Sequence, residues 1–128
     1  MIKLYNGVTQ DDAGNTAGKE ITESNKITFI LNSSENQEDV QALAVRCDEG
    51  YKTVSDIVIS LEGDSKRFWA LSLDNQSFAE YGESITLSEE VSGSNRIIYI
   101  KAKAENGEGA KVDTACTVRL TCTIGVNG

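Results

Sequence analysis

Residues 112–124 read Val112-Asp113-Thr114-Ala115-Cys116-Thr117-Val118-Arg119-Leu120-Thr121-Cys122-Thr123-Ile124. Val112, Thr114, Cys116, Val118, Leu120, Cys122 and Ile124 fall on one side of this alternation. Asp113, Ala115, Thr117, Arg119, Thr121 and Thr123 fall on the other. Side chains on a strand point to opposite faces in turn, so the stretch predicts a strand with one buried and one solvated face.

The same period of two recurs upstream. Ile27, Phe29 and Leu31 alternate with Thr28 and Ile30. In residues 39–48, Leu43, Val45 and Cys47 are predicted inward and Ala44 and Arg46 outward. Residues 53–61 place Ile57, Ile59 and Leu61 on one face, and 67–73 place Trp69, Leu71 and Leu73 on one face. Ile85 and Leu87 mark a short strand, and in 96–104 Ile98, Ile100, Ala102 and Ala104 oppose Ile97, Tyr99, Lys101 and Lys103. Turn chemistry separates these runs: Asn32-Ser33-Ser34-Glu35-Asn36, Asp48-Glu49-Gly50, Glu62-Gly63-Asp64-Ser65, Asp74-Asn75-Gln76-Ser77, Ser92-Gly93-Ser94-Asn95 and Asn106-Gly107-Glu108-Gly109. No window of 11 or more residues carries a helical stripe of period 3.6. About seven strands so spaced predict an all-β protein, an immunoglobulin-like antiparallel β-sandwich over residues 26–128.

Residues 1–25 read differently. Ile2, Leu4, Lys3 and Tyr5 form a short alternating run, followed by a polar, glycine-punctuated stretch from Asn6 to Asn25. That composition predicts an N-terminal arm rather than core. Asp11, Asp12 and Asn15 near Gly14 have some likeness to an acidic calcium loop, but the spacing departs from that pattern and a turn is the better reading.

One hundred and twenty-eight residues, 39% of them apolar, suffice for one domain with one core. The net charge is −8 and the pI near 4.5. Such a surface repels phosphate backbones and anionic membranes and favours solubility. The start Met1-Ile2-Lys3-Leu4-Tyr5 lacks the apolar segment of a secretory signal, and no apolar run approaches the roughly 20 residues that span a bilayer. The expected site of synthesis is therefore a cytosol.

Three cysteines, Cys47, Cys116 and Cys122, do not close a disulfide framework. Cys116 and Cys122 lie six residues apart on one strand face, about 20 Å at roughly 3.3 Å per residue, too far to bridge. Bridges from Cys47 to either remain geometrically open, but small buried thiols are the expected state. The chain has no histidine, which removes the commonest general base and zinc ligand. It has no close Cys-x-x-Cys pair, which argues against bound zinc, and no Gly-x-x-x-x-Gly-Lys phosphate loop. The carboxylate pairs Glu89–Glu90 and Asp48–Glu49 sit in predicted surface turns, where they stay ionised. No enzyme activity and no cofactor are expected. Trp69 is expected in the core. A second reading makes Trp69 and Tyr81, beside Asn75, Gln76 and Asp74, contacts for a host-surface glycan.

The stretch Ala70-Leu71-Ser72-Leu73-Asp74, then Tyr81-Gly82, then Ile97-Ile98-Tyr99-Ile100-Lys101-Ala102-Lys103-Ala104, then Asp113-Thr114 and a closing strand, resembles Ig-like domains of tailed-bacteriophage virion proteins. In these a Trp-containing strand precedes a Tyr-Ile-Lys-Ala-type strand and an acidic-to-Thr final strand. The resemblance covers residues 27–124. It implies a head-decoration, head-fibre or tail-associated protein of the virion, made in the bacterial host cytoplasm. Its partner would be the major capsid protein or another virion protein, and the absence of an antibody-type disulfide suits a reducing cytosol. Ile2, Leu4 and Tyr5 would then anchor the arm to the shell. The alternatives are a carbohydrate-binding or adhesin module and a tail or baseplate accessory domain. An oligomer is compatible with either.

Overall fold

The computed structural model describes residues 2–22, 24–27, 29–32, 38–63, 68–103, 110–113 and 116–126. Turns expected at 33–36, 64–65 and 106–109 lie outside the described residues. Among those described, twelve strands form in chain order: β1 (Ile2–Asn6), β2 (Lys19–Glu20), β3 (Phe29–Asn32), β4 (Glu38–Cys47), β5 (Tyr51–Thr53), β6 (Ile57–Gly63), β7 (Trp69–Ser72), β8 (Ile85–Leu87), β9 (Arg96–Lys103), β10 (Ala110–Asp113), β11 (Cys116–Thr121) and β12 (Ile124–Val126). A short 3-10 turn, Gln10–Asp12, follows β1. All the strand pairings are antiparallel. The all-β class read from the two-residue period is the class observed.

The larger sheet has the order β2-β1-β4-β9-β7, and facing it is β11-β6-β8. The main core fills the space between them. Leu4, Leu43, Val45, Trp69, Leu71, Ile98, Ile100 and Ala102 come from the larger sheet, and Ile57, Ile59, Leu61 and Leu87 from the smaller. Leu43, Val45, Ile57, Ile59, Trp69, Leu71, Ile98 and Ile100 are fully buried. Cross-strand pairing explains why these side chains meet: Leu43 lies opposite Ile98, Leu4 opposite Val45, and Leu71 opposite Ile100. Aligned sheets pressed face to face are the standard way to bury one face of each.

The structure adds three things to the expected pattern. First, the final alternating run is not one strand. β10 pairs with β3, β11 with β6 and β12 with β5, so the run changes partner twice. Residues 53–61, expected as one strand, divide correspondingly into β5 and β6. Val58 lies opposite Thr121 and Thr53 opposite Ile124, so five steps on one side match three on the other. The extra residues loop out in the manner of a bulge. Ser55 stitches this point, its Oγ accepting the Thr123 N–H at 2.8 Å, while the Val54 N–H bonds to the Thr123 carbonyl at 2.9 Å.

Second, the boundary expected at residue 25 does not coincide with a break. β1 lies between β2 and β4, with Ile2 opposite Cys47 and Tyr5 opposite both Ala44 and Glu20. Residues 2–6 are thus interior to the larger sheet rather than an arm hanging from it. Their alternation is that of β4, and the polar, glycine-punctuated stretch that follows made them read as part of an arm.

Third, the outward face of the larger sheet is covered at its middle. Ala44, expected outward, is 0% exposed, and Ile97 and Tyr99 are also buried. They form a second apolar cluster with Tyr5 and Val8, joined by Ala42 and Phe78. One cover is the segment 7–18. Gly18 lies so close to Tyr5 that an added Cβ would stand 2.8 Å from the Tyr5 Cβ, and its φ of +114° favours glycine. The other cover is the segment 74–82, held to β7 by Ala79 N–H to the Leu71 carbonyl and Gly82 N–H to the Trp69 carbonyl, at 3.0 and 2.9 Å.

Candidate functional site

Both covers are fixed by polar networks. Asn95, 5% exposed, precedes β9 and donates its amide to the carbonyls of Asp12 and Ala17 and to Asn15 Oδ1. Its Oδ1 accepts from Arg46 Nη1 at 2.7 Å, and Arg46 also bonds the Ala17 carbonyl and lies over the Tyr5 ring, 3.6 Å from its centroid. The loop with a slight likeness to a calcium site is thus a turn. Asp12 accepts from the Thr9 N–H at 2.9 Å and from the Asn15 amide, and these bonds hold its carboxyl below the usual carboxylate range. Asp74 plays the same part in the second cover. It accepts from the backbone N–H groups of Gln76 and Ser77, each at 2.9 Å, and from the Ser72 hydroxyl. The Ser77 bond leads the causes that lower its pKa. Asn75 takes the left-handed conformation between them, φ 61°, which its side chain tolerates.

The sequence-derived site residues fall apart in space. Leu4 and Tyr5 are each 8% exposed, and Ile2 is half-buried against the core. These three are committed to the chain's own sheet and do not project as an anchor. Trp69 is 0% exposed on the inward face of the larger sheet, so it has no surface to offer a sugar. Tyr81 is half-exposed on the opposite side. The expected Trp69–Tyr81 platform is therefore not assembled, because residues on opposite faces of one sheet cannot line one site.

What Tyr81 meets instead is cationic. The Lys103 ammonium lies 4.3 Å from its ring centroid and that of Lys101 lies 5.4 Å away. Lys101 also sits 4.6 Å over Phe78. Both lysines belong to the outward row of β9, where Val40 pairs with Lys101 and Glu38 with Lys103. Val40 is 41% exposed. The alternation of 96–104 already puts Tyr99, Lys101 and Lys103 on one face. The sequence does not reveal which loop lies over them.

Elsewhere four described cations hold carboxylates. Lys3 bridges Glu20 and Asp48 at 3.3 Å each, Arg96 holds Glu89 at 3.0 Å, Lys52 approaches Glu90 at 4.0 Å and Arg119 holds Glu62 at 3.1 Å. Of the carboxylates singled out in the sequence, Asp48, Glu89 and Glu90 are thus surface ion-pair partners. A cleft of about 260 Å³ beside Thr53, Asp56, Glu89 and Glu90 and one of about 320 Å³ beside Leu73, Asp74 and Tyr99 are built from these same groups. A third, about 380 Å³, opens at the side of the sandwich between Ile2, Leu4, Ile21 and the strand residues Val118 and Leu120. Cys47 and Cys122 are free thiols. Cys47 is buried and its Sγ donates to the Val91 carbonyl at 3.5 Å. Burial pushes both thiols above the ordinary cysteine range, which keeps them protonated and poorly nucleophilic. No three His, Cys, Asp or Glu residues among those described are grouped to hold a metal ion, and no described helix is long and apolar enough to cross a membrane.

No protein-family model, no curated protein and no solved structure matches this chain.

Proposed function

We propose that this chain is a non-enzymatic structural protein of a tailed-bacteriophage virion, an Ig-like sandwich that decorates the capsid exterior. The sequence resemblance over residues 27–124 supports the reading. The observation that carries it is how fully the described sandwich is filled. Aliphatic side chains and Trp69 fill the space between the two sheets, and no carboxylate, lysine or arginine is among the buried described residues, so contact with other molecules falls to the outer surface. The ion-paired carboxylates and protonated thiols support a role in binding rather than turnover.

The partner in this reading is the major capsid protein or another virion protein. Attachment uses exposed surface, because β1 is occupied on both edges. Display in many copies would let a weak site on the outer face act with avidity. The experiment is labelling of banded particles with an antibody against the full chain, read by electron microscopy and by peptide mass spectrometry of the same band. Label on heads is the expected result. Peptides confined to the unassembled fraction of the lysate, with unlabelled particles, would overturn it.

A further inference from the structure

We infer that the outward row of β9 carries a binding site for a polyanionic glycan, with Lys101 and Lys103 receiving its acidic groups. The inference refines the glycan reading of Tyr81 and does not depend on a place in the virion. In a chain of net charge −8, Lys101 and Lys103 make no ion pair among the described residues and lie instead over Phe78 and Tyr81. An ammonium over an aromatic ring is held by the ring quadrupole but keeps its donors for another acceptor. The rings thus restrict two flexible side chains in advance, which lowers the entropic cost of binding. Two residues apart on one strand face, the lysines stand about 7 Å apart at their Cα atoms. Exposed Val40, opposite Lys101, supplies an apolar surface for the C–H face of a sugar ring.

The same observations argue against other polyanions. β9 is an interior strand, paired with β4 and β7, so it has no free backbone edge for an acidic peptide to extend. Nucleic acids draw affinity from many phosphate contacts, whereas this face offers two cations on an acidic molecule. A glycan with spaced carboxylates needs only a few charges and some apolar surface. Glu38 stands opposite Lys103 in the ladder and Glu80 and Glu83 flank Tyr81 in sequence, so neutralising an acid here should strengthen binding.

The test is retention of the full chain on immobilised polygalacturonate, with dextran, polyglutamate and single-stranded DNA as parallel matrices. Retention on polygalacturonate alone is expected, falling as salt rises. Lys101→Gln/Lys103→Gln should weaken it about tenfold or more, the size expected for lost charge-assisted hydrogen bonds, and Glu38→Gln should strengthen it. Unchanged near-ultraviolet circular dichroism would establish that both variants are folded. No retention on polygalacturonate at low salt would overturn the proposal. So would equal retention on polyglutamate or DNA, or a folded double-lysine variant that binds as well as the parent.

Discussion

Trp69 and Gly18 show at single positions what the covering of two sheet faces demands. Trp69 is the largest side chain fully buried between the sheets. Trp69→Ala should cost about 3–5 kcal/mol, read by urea denaturation, because it removes the transfer energy and leaves a cavity. A loss below about 1 kcal/mol would place this residue outside the core. Gly18 faces a different constraint, with positive φ and a Cβ position that meets Tyr5 and Val8 at 2.8 and 2.9 Å. Gly14 has φ +85° but nothing within 4 Å of its Cβ position. Gly18→Ala should therefore lower the melting temperature clearly more than Gly14→Ala, which bears only the conformational cost of about 1 kcal/mol. Asn95 is the polar counterpart. Asn95→Ala removes the amide's bonds to the carbonyls of Asp12 and Ala17 and to Asn15 Oδ1 and takes one acceptor from Arg46, and should cost about 1–3 kcal/mol in the same denaturation measurement.

At the scale of elements, the two covers are each closed by a carboxylate that accepts backbone N–H groups. Hydrogen bonds to the charged form lower the folded pKa of Asp12 and Asp74. Their contribution to stability is therefore present above the ordinary Asp value and is lost as pH falls through the lower folded value. Neither group is buried, so the effect is local rather than a global acid transition. Amide shifts of Gln76 and Ser77 followed by NMR should titrate with a midpoint below the ordinary aspartate value of about 3.9. A midpoint at or above that value would contradict the hydrogen-bonding role given to Asp74. The strand breaks belong to this scale too. Alternation in residues 112–124 was legible because side-chain period is a local property. The division into three partner strands was not, since it depends on the two extra residues between Thr53 and Val58 that the facing strand lacks.

Across the whole molecule, the sandwich follows from the apolar rhythm of Leu43-Val45-Cys47, Ile57-Ile59-Leu61 and Ile98-Ile100-Ala102, and all of these are buried. What local pattern could not convey is which polar stretches fold back. Residues 7–18 look like loop by composition, yet Val8 is buried against Tyr5 and Ile97 because Asn95 and Arg46 hold the segment down. The same limit affected the candidate site. Tyr81 was visible as an aromatic among polar residues, but its lysine neighbours come from a strand about 20 positions away and its expected partner Trp69 faces the opposite layer. The anchor assigned to Ile2, Leu4 and Tyr5 met the same difficulty, since a short apolar run reads alike whether it seeks a partner or already has one.

The most direct test of β1 as an interior strand is native-state amide hydrogen exchange. If β1 is held between β2 and β4, the protected amides of residues 2–6 should exchange with those of β4 and β9, through global unfolding. Rapid exchange throughout residues 2–6 beside a protected β4 would show a free N-terminal segment and contradict the fold described.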